Sequence, residues 1–122
     1  MTWRYDQSTG DLTHDGAFVG TGYSGAGRTL AEGRNNPAME AEKKKGPIPA
    51  GDWTIGAARK SDHTGPVSMD LTPVGHDAHG RTEFMIHGNN TADNASEGCI
   101  IMARGIRDEI AASADRDLEV VP

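Results

Sequence analysis

The chain has little cysteine: Cys99 is the only one among its 122 residues. One cysteine cannot form an internal disulfide, and it cannot supply the several thiolates of a structural zinc site. The sequence therefore excludes a small domain stapled by disulfides, and its core must come from apolar side chains. Since 35% of the residues are hydrophobic, a chain of this length can build one such core. We expect one domain over residues 1–122.

Long apolar runs are also missing. No segment approaches the roughly 18 consecutive apolar residues that a membrane-spanning helix requires. The first residues, MTWRYDQSTG, lack the basic and apolar regions of a secretory signal. We therefore expect a chain that is made in the cytoplasm without a signal peptide and that does not insert into a membrane.

Positive charge is scarce. The 12 Lys and Arg residues against 18 Asp and Glu residues give a formal net charge of -6. The basic residues do not gather into a stripe that could neutralise phosphates, so nucleic acid is not an expected partner. The acidic balance itself says little about a substrate.

Aromatic residues make up only 5% of the chain, whereas glycine occurs 16 times. This composition favours short strands and many turns over a helical bundle. Alternating or strand-like patterns occur in TWRYD, DLTH, AFVGTGY, DWTIG, GPVSMDLTPVG, RTEFMIHG and DLEVVP. RGIRDEIAASA has the spacing of a short amphipathic helix. We predict a mainly β fold, a β-rich α+β domain with one short helix near its C-terminal end.

Residues 24–46 are polar and glycine-rich, and they show no sustained period. They predict a long loop with one helical turn around PAMEAEKKK, because Pro37 suits a first helical position. A loop this long inside a compact domain is more often functional than idle, although a plain surface excursion fits the composition as well.

Cys99 lies in SEGCII, and its residue type leaves two interpretations open. Free cysteine is among the most frequently buried residues, so a core role and a catalytic role are about equally compatible with it. A catalytic thiol needs a base or a positive field nearby, because its ordinary pKa of about 8.5 leaves little thiolate at neutral pH. His87 ends the strand pattern EFMIHG, and the loop that follows is long enough to bring the two side chains together.

The other histidines give weaker indications. His76 and His79 have H-x-x-H spacing without a third ligand nearby, so we predict no metal site and no cofactor. His14 is predicted as a solvated turn residue. His63 either lines a cleft or lies in a plain turn.

MIHGNN followed by SEGCII resembles the signature of the L,D-transpeptidase catalytic-domain family. That signature is a histidine-glycine pair at a strand end, then a loop, then Ser/Thr-x-Gly-Cys and an apolar residue. His87-Gly88 and the run from Ser96 to Ile100 fill the pattern. The ordered set TWRYDQSTGDLTHDG, GYSG, NNP, GPIPAG, IHG and SEGC is similar to the type VI secretion L,D-transpeptidase effectors, small toxins that attack a competitor's peptidoglycan.

The resemblance implies an L,D-transpeptidase-like β-sandwich whose long loop walls the active-site groove. It implies that Cys99 attacks the carbonyl of the third residue of a tetrapeptide stem and expels the terminal D-alanine. His87 would take the thiol proton, Gly88 would orient the imidazole through its carbonyl, and the Gly98 and Cys99 amides would form the oxyanion hole. Water would complete an L,D-carboxypeptidase reaction, and a free D-amino acid would complete an exchange.

The resemblance also implies substrate contacts and partners. The implied substrate-binding residues are Tyr23, Ser24, Asn35, Asn36, Arg81, Asn89, Ser96 and Glu97. Those of the long loop are also ordinary turn residues, and an arginine also suits a surface ion pair. Glu97 stands where the wider family commonly has a second histidine, which leaves His87 as the only base. The implied partners are tetrapeptide stems, D-amino acid acceptors, a delivery protein and an immunity protein, with action in the periplasm of a target cell.

Two other functions fit parts of the sequence. A non-catalytic module of the same fold, binding peptidoglycan or a partner, would contain an inert Cys99 that iodoacetamide labels slowly. Toxicity would then survive a Cys99→Ala substitution. An endopeptidase of the NlpC/P60 or papain kind places its cysteine before its histidine, whereas His87 here precedes Cys99, which argues against that class.

Overall fold

The computed structural model describes residues 2–122, and strands dominate it. The strands are β1 (Trp3–Asp6), β2 (Asp11–His14), β3 (Ala17–Thr21), β4 (Tyr23–Ser24), β5 (Gly51–Ser61), β6 (Gly65–Val74), β7 (Met85–His87), β8 (Ile100–Ile101) and β9 (Asp117–Val121). One α-helix, α1 (Arg104–Ala112), precedes β9, and two 3₁₀ turns cover Pro37–Met39 and Ala78–Gly80. The predicted mainly β fold with one short helix near the C-terminal end is confirmed.

All nine strands belong to one sheet, in the order β3-β2-β1-β9-β5-β6-β7-β8-β4. Strands β3 and β4 are the two edges of this sheet, yet only Gly22 separates them in the chain. One residue spans less than about 4 Å, so the end of β3 lies next to the start of β4. The two edges of the sheet therefore meet at this point. The strands of the predicted sandwich are therefore joined in one curled, nearly closed sheet.

Two glycines allow the close approach of the sheet edges. The Gly22 amide donates to the Gly10 carbonyl at 2.9 Å. A Cβ on Gly10 would lie 2.0 Å from the Gly22 oxygen, and a Cβ on Gly22 would lie 1.8 Å from the Ile101 oxygen. No side chain fits at either position, so the backbones of β2, β8 and the β3–β4 connection meet directly.

Apolar side chains from both halves of the chain form one core. In β1, buried Trp3 and Tyr5 flank exposed Arg4, which is the period-two pattern of a half-buried strand. The largest fully buried apolar side chains are Trp3, Trp53, Tyr5, Leu12, Ile48, Met69, Ile86, Ile100, Met102, Ile110 and Leu118. Helix α1 contributes Ile110 to this core. In residues 2–122, no helix has both the length and the apolar character needed to cross a membrane.

The long loop contains the predicted helical turn. Pro37 takes an early position of the 3₁₀ turn, and the Asn36 side chain caps it by accepting from the Ala38 amide. Backbone hydrogen bonds fix the loop to itself and to β4, including Asn35 N to Ser24 O at 2.8 Å and Ala26 N to Lys45 O at 2.8 Å. These hydrogen bonds therefore give the long loop a fixed conformation next to the sheet.

Candidate active site

A groove with a volume of about 720 Å³ lies on the face of the sheet that is turned away from the core. Asp70 of β6 and Met85 of β7 are paired across the strands and both line the groove, whereas their neighbours Met69 and Ile86 are buried in the core. Cys99 also lines the groove. The long loop contributes to its wall through Lys43 and Lys44, as the resemblance implies.

Strand pairing brings Cys99 and His87 to the same side of the sheet. Strands β7 and β8 are parallel, with Ile86 opposite Ile100 and His87 opposite Ile101. Side chains alternate along strands, so Cys99, one residue before β8, shares a face with His87. Strand geometry separates their Cα atoms by about 8 Å along the diagonal. Cys99 and His87 therefore lie on the same face of adjacent strands, although His87 is not among the residues that line the groove.

His87 is held in one tautomer. Its side chain is buried, with 4% relative exposure, and its Nδ1 lies 2.8 Å from the Gly88 carbonyl oxygen. A carbonyl can only accept, so Nδ1 carries the proton and Nε2 carries the lone pair. Within residues 2–122, Nε2 has no hydrogen-bond partner. The contact with Gly88 is the one the resemblance implies, and it leaves the proton-accepting nitrogen free.

The charge state of His87 also suits a base. Burial lowers the pKa of the imidazole, and the positive charge of Arg107 acts in the same direction, while the hydrogen bond to Gly88 opposes both. The ring is therefore neutral at pH 7, with Nε2 ready to take a proton.

The Cys99 thiol is protonated in this structure. Its Sγ lies 3.6 Å from the Glu83 carbonyl oxygen, to which it donates. Burial raises the pKa of the thiol to about 11, and the carboxylates of Glu97 and Glu83 add to the rise. The Met85 amide and the Arg81 charge act in the opposite direction. No hydrogen bond joins the thiol to His87 in the described part of the chain, so any attack by this sulfur needs a base to remove its proton.

Arg81 ties the long loop to the segment that carries Cys99. The side chain is buried, and its terminal nitrogens donate to four backbone carbonyls, those of Glu40 at 2.6 Å, Pro47 at 2.8 Å, Gly46 at 3.0 Å and Glu97 at 3.0 Å. A Cβ on Gly98 would meet its Nη2 at 2.5 Å. The guanidinium predicted to bind a substrate carboxylate is thus engaged with backbone oxygens, and it positions the cysteine segment.

Two buried serines shape the backbone around Cys99. Ser24, with 0% relative exposure, donates from Oγ to the Gly98 carbonyl at 3.1 Å. Ser96 donates from Oγ to the Cys99 carbonyl at 2.6 Å and accepts from the Gly98 amide at 3.1 Å. The Gly98 amide, predicted as an oxyanion donor, is therefore bonded to Ser96. Neither serine lines the groove; both support its wall.

The remaining predicted substrate contacts differ in position. Tyr23 is buried, donates from its hydroxyl to Asn89 Oδ1 at 2.6 Å and accepts from the Ala95 amide at 2.8 Å. Asn35 Oδ1 accepts from the Ser24 amide at 3.3 Å, and Asn36 caps the 3₁₀ turn. These four side chains hold loops together behind the groove. Glu97 is exposed and lines it.

Arg107 was not predicted to contribute to the site. It lies on α1 and donates from Nε to the Met102 carbonyl at 3.0 Å and from Nη1 to the Pro66 carbonyl at 2.9 Å. A Cβ on Gly88 would meet its Nη2 at 2.8 Å. The sequence pattern indicates that Arg107 is buried, because it lies three residues before Ile110 and therefore on the same, buried side of the helix. His63, Asn90 and Asn94 line the groove; His63 does so from the turn between β5 and β6, so both features expected of it are present.

The other histidines occupy structural positions. His76 uses both ring nitrogens, with Nε2 at 2.9 Å from the Asp52 carbonyl and Nδ1 accepting from the Ala78 amide at 3.1 Å. His14 was predicted as a solvated turn residue, but it lies on β2 and bonds Asp115 at 2.9 Å. Within residues 2–122, His14, Asp15 and Asp115 are the one group with three metal-ligating atoms within 4.8 Å of one another. Its nitrogen and one of its carboxylates are already bonded to each other, and none of its members lines the groove.

Comparison with known protein families identifies the family of the chain. No curated protein matches the chain. A family model, that of the Tlde1 domain, matches residues 19–121, from β3 through the groove and the Cys99 segment to the end of β9. The match covers most of the chain, including both His87 and Cys99. The chain therefore belongs to the Tlde1 domain family, a family of type VI secretion effectors.

Proposed function

We propose that the chain is a cysteine enzyme that acts on the tetrapeptide stems of peptidoglycan as an L,D-carboxypeptidase and L,D-transpeptidase. One observation carries the proposal: Cys99 at the groove wall shares a sheet face with His87, a neutral imidazole whose Nε2 is free. Membership of an effector family supports the proposal, because an enzyme that damages a competitor's cell wall is expected among effectors.

The chemistry follows from the protonation states. His87 Nε2 takes the proton of the Cys99 thiol as sulfur attacks the carbonyl carbon of the third stem residue. The bond to the terminal D-alanine nitrogen breaks, and the imidazolium returns the proton to that leaving amine. A thioester on Cys99 remains. Water or the amine of a free D-amino acid then attacks it, which releases a trimmed or exchanged stem and restores the thiol.

The developing oxyanion requires hydrogen-bond donors. The Cys99 amide is one donor in this proposal. The Gly98 amide becomes the second only when it leaves Ser96 Oγ, to which it is bonded at 3.1 Å. Arg81 and Ser24 bond the carbonyls of Glu97 and Gly98, which belong to the two peptide units that carry these amides.

The proposal extends to the setting of the reaction. The chain would be delivered by the secretion machine into the periplasm of a target cell, where tetrapeptide stems occur. A producing cell would need an immunity protein that covers or blocks the groove. Trimming and exchange both remove the stems that cross-linking uses.

A non-catalytic binding module remains a second candidate, because one observation favours it. The pKa of the Cys99 thiol is raised to about 11, and within the described residues no hydrogen bond links it to His87. Slow labelling by iodoacetamide at neutral pH is therefore expected of either function, and only turnover separates them.

The test is incubation of purified tetrapeptide muropeptides with the wild-type chain and with Cys99→Ala, followed by mass analysis. We expect loss of one D-alanine with the wild type only, or its exchange when a D-amino acid is added. Circular dichroism should show that the variant is folded. Unchanged muropeptides in the presence of folded wild-type protein would contradict the enzymatic proposal and favour the binding module.

A further inference from the structure

Charged side chains of both signs line the groove around Cys99. Glu83 and Glu97 lie close enough to Cys99 for their charges to act on its thiol. Asp70 is neutralised by Arg59, with two side-chain contacts of 3.0 Å. Arg81, which also lines the groove, acts on the thiol in the opposite direction to the two glutamates.

Positive charge lies on the long-loop side of the same groove. Lys43 and Lys44 line it, both are exposed, and neither forms an ion pair with any described residue. The two ammonium groups are thus free to meet an anion that enters the groove.

The lysines lie on a turn that is fixed relative to the thiol. Lys44 has a φ of 63°, a left-handed conformation that is disfavoured for residues with a side chain. The turn is closed by Gly46 N to Glu42 O at 3.0 Å. Arg81 then joins the Gly46 carbonyl to the Glu97 carbonyl, at 3.0 Å each, two residues before Cys99. One buried side chain therefore connects the cationic turn to the cysteine segment.

We propose that Lys43 and Lys44 form the subsite that binds the free carboxylates of the stem peptide and thereby orients the stem in the groove. This inference rests on the proposed function, because it names how that substrate is held. A stem peptide carries several carboxylates and is anionic overall. The lysines attract those carboxylates as the stem enters the groove.

The size of the effect follows from the exposure of the lysines. Exposed ion pairs contribute modestly, so removing both ammonium groups is expected to raise KM by about three- to tenfold. The value of kcat should stay within about twofold, because neither lysine touches the reacting atoms. The KM of the wild type should rise with salt, since screening weakens exposed pairs.

The experiment compares the double variant Lys43→Ala/Lys44→Ala with the single variant Lys45→Ala. Lys45 belongs to the same basic run and is exposed, but it does not line the groove, so it controls for the loss of a neighbouring charge outside the groove. We expect the KM for D-alanine release to rise in the double variant only. The Lys43→Arg/Lys44→Arg variant should restore it, and a stem with amidated carboxylates should remove the difference between wild type and double variant.

Calorimetric binding of the tetrapeptide stem to Cys99→Ala, with and without the double lysine substitution, separates this inference from the proposed function. If the wild type releases no D-alanine but stem binding depends on Lys43 and Lys44, the enzymatic proposal fails and the subsite stands. If release occurs and neither KM nor binding changes in the double variant, the subsite is overturned. An equal change in Lys45→Ala would also overturn it, because net charge would then explain the effect.

Discussion

His14 and His87 lie in two different regions of the molecule. The ring of His14 makes structural contacts, whereas the ring of His87 has a nitrogen that is available for chemistry. The His14 ring stacks on Trp3 at a centroid distance of 3.8 Å, and its Nε2 bonds Asp115 Oδ2 at 2.9 Å. These contacts join the first hairpin to the segment before β9. Within residues 2–122 the His87 ring has one hydrogen bond, to a backbone carbonyl, and its Nε2 has no partner. The surroundings of each ring, and not the residue type, separate a structural histidine from one suited to chemistry.

The partners of the two rings explain the difference. The His14 ring is bonded to the Asp115 carboxylate, whereas the His87 ring is bonded to the Gly88 carbonyl, which fixes the tautomer and adds no charge. Burial then lowers the pKa of His87 and keeps it neutral. The comparison therefore predicts that substitutions at His87 affect turnover and that substitutions at His14 affect stability.

The largest effect is expected from His87→Gln. Glutamine keeps much of the size and polarity but cannot take the thiol proton, so kcat for D-alanine release should fall by about 10²- to 10⁴-fold. Steady-state kinetics on tetrapeptide stems measures the loss, and thermal unfolding provides the control. A variant that keeps wild-type kcat would show that His87 is not the base.

His14→Ala should act on stability. It removes the stacking on Trp3 and the bond to a buried carboxylate, which together give a loss of about 2–4 kcal/mol in the free energy of unfolding. Urea unfolding measures this loss, and kcat/KM of the folded fraction should stay within about twofold of the wild type. An equal loss of turnover in His14→Ala and His87→Gln would contradict the different roles assigned to the two histidines.

The His14 region should also lose stability in acid. Burial of Asp115 acts to raise the pKa of its carboxyl, but the hydrogen bonds from His14 and from the Asp117 amide outweigh it, so the net pKa is lowered. A carboxyl with a lowered folded pKa contributes stability above its ordinary pKa of about 4, and this contribution disappears as pH falls through the folded value. The unfolding free energy of the wild type should therefore fall more steeply below pH about 4 than that of Asp115→Asn. Parallel curves for the two proteins would contradict this assignment.

The smallest effect concerns the charge around Cys99. Burial and the carboxylates of Glu97 and Glu83 raise the pKa of the thiol to about 11, so Glu97→Gln should move the midpoint of iodoacetamide labelling to lower pH. Glu109→Gln, an exposed glutamate on α1, is the matched control and should leave the midpoint unchanged. If labelling of the wild type had its midpoint near pH 8.5, the pKa of the Cys99 thiol would not be raised.

The sequence predicted the strands and the helix whose residues follow a local pattern. Strands β1, β2, β5, β6 and β9 and helix α1 follow from alternation, turn residues and amphipathic spacing. The two-residue strands β4 and β8 are too short to have a period, and they form by pairing with each other although they are far apart in the chain. His87, Gly88 and Cys99 were visible because they form a recognisable motif.

Side chains whose partners are distant in sequence could not be predicted. Arg81 binds carbonyls from residues 16 to 41 positions away, and the His14 contact spans 101 positions. Arginine and serine look exposed by residue type, so nothing local indicates that Arg81 and Ser24 are buried against backbone oxygens. These contacts explain why the predicted substrate residues lie largely behind the groove wall.

The most direct test of the central claim, that Cys99 is a nucleophile deprotonated by His87, is the intact mass of the protein during turnover. Wild-type chain mixed with tetrapeptide stem and quenched in acid should carry a tripeptide thioester on Cys99, formed together with released D-alanine. His87→Gln should form it about 10²- to 10⁴-fold more slowly. Release of D-alanine without any adduct on Cys99, or an adduct that forms equally fast in His87→Gln, would contradict the account.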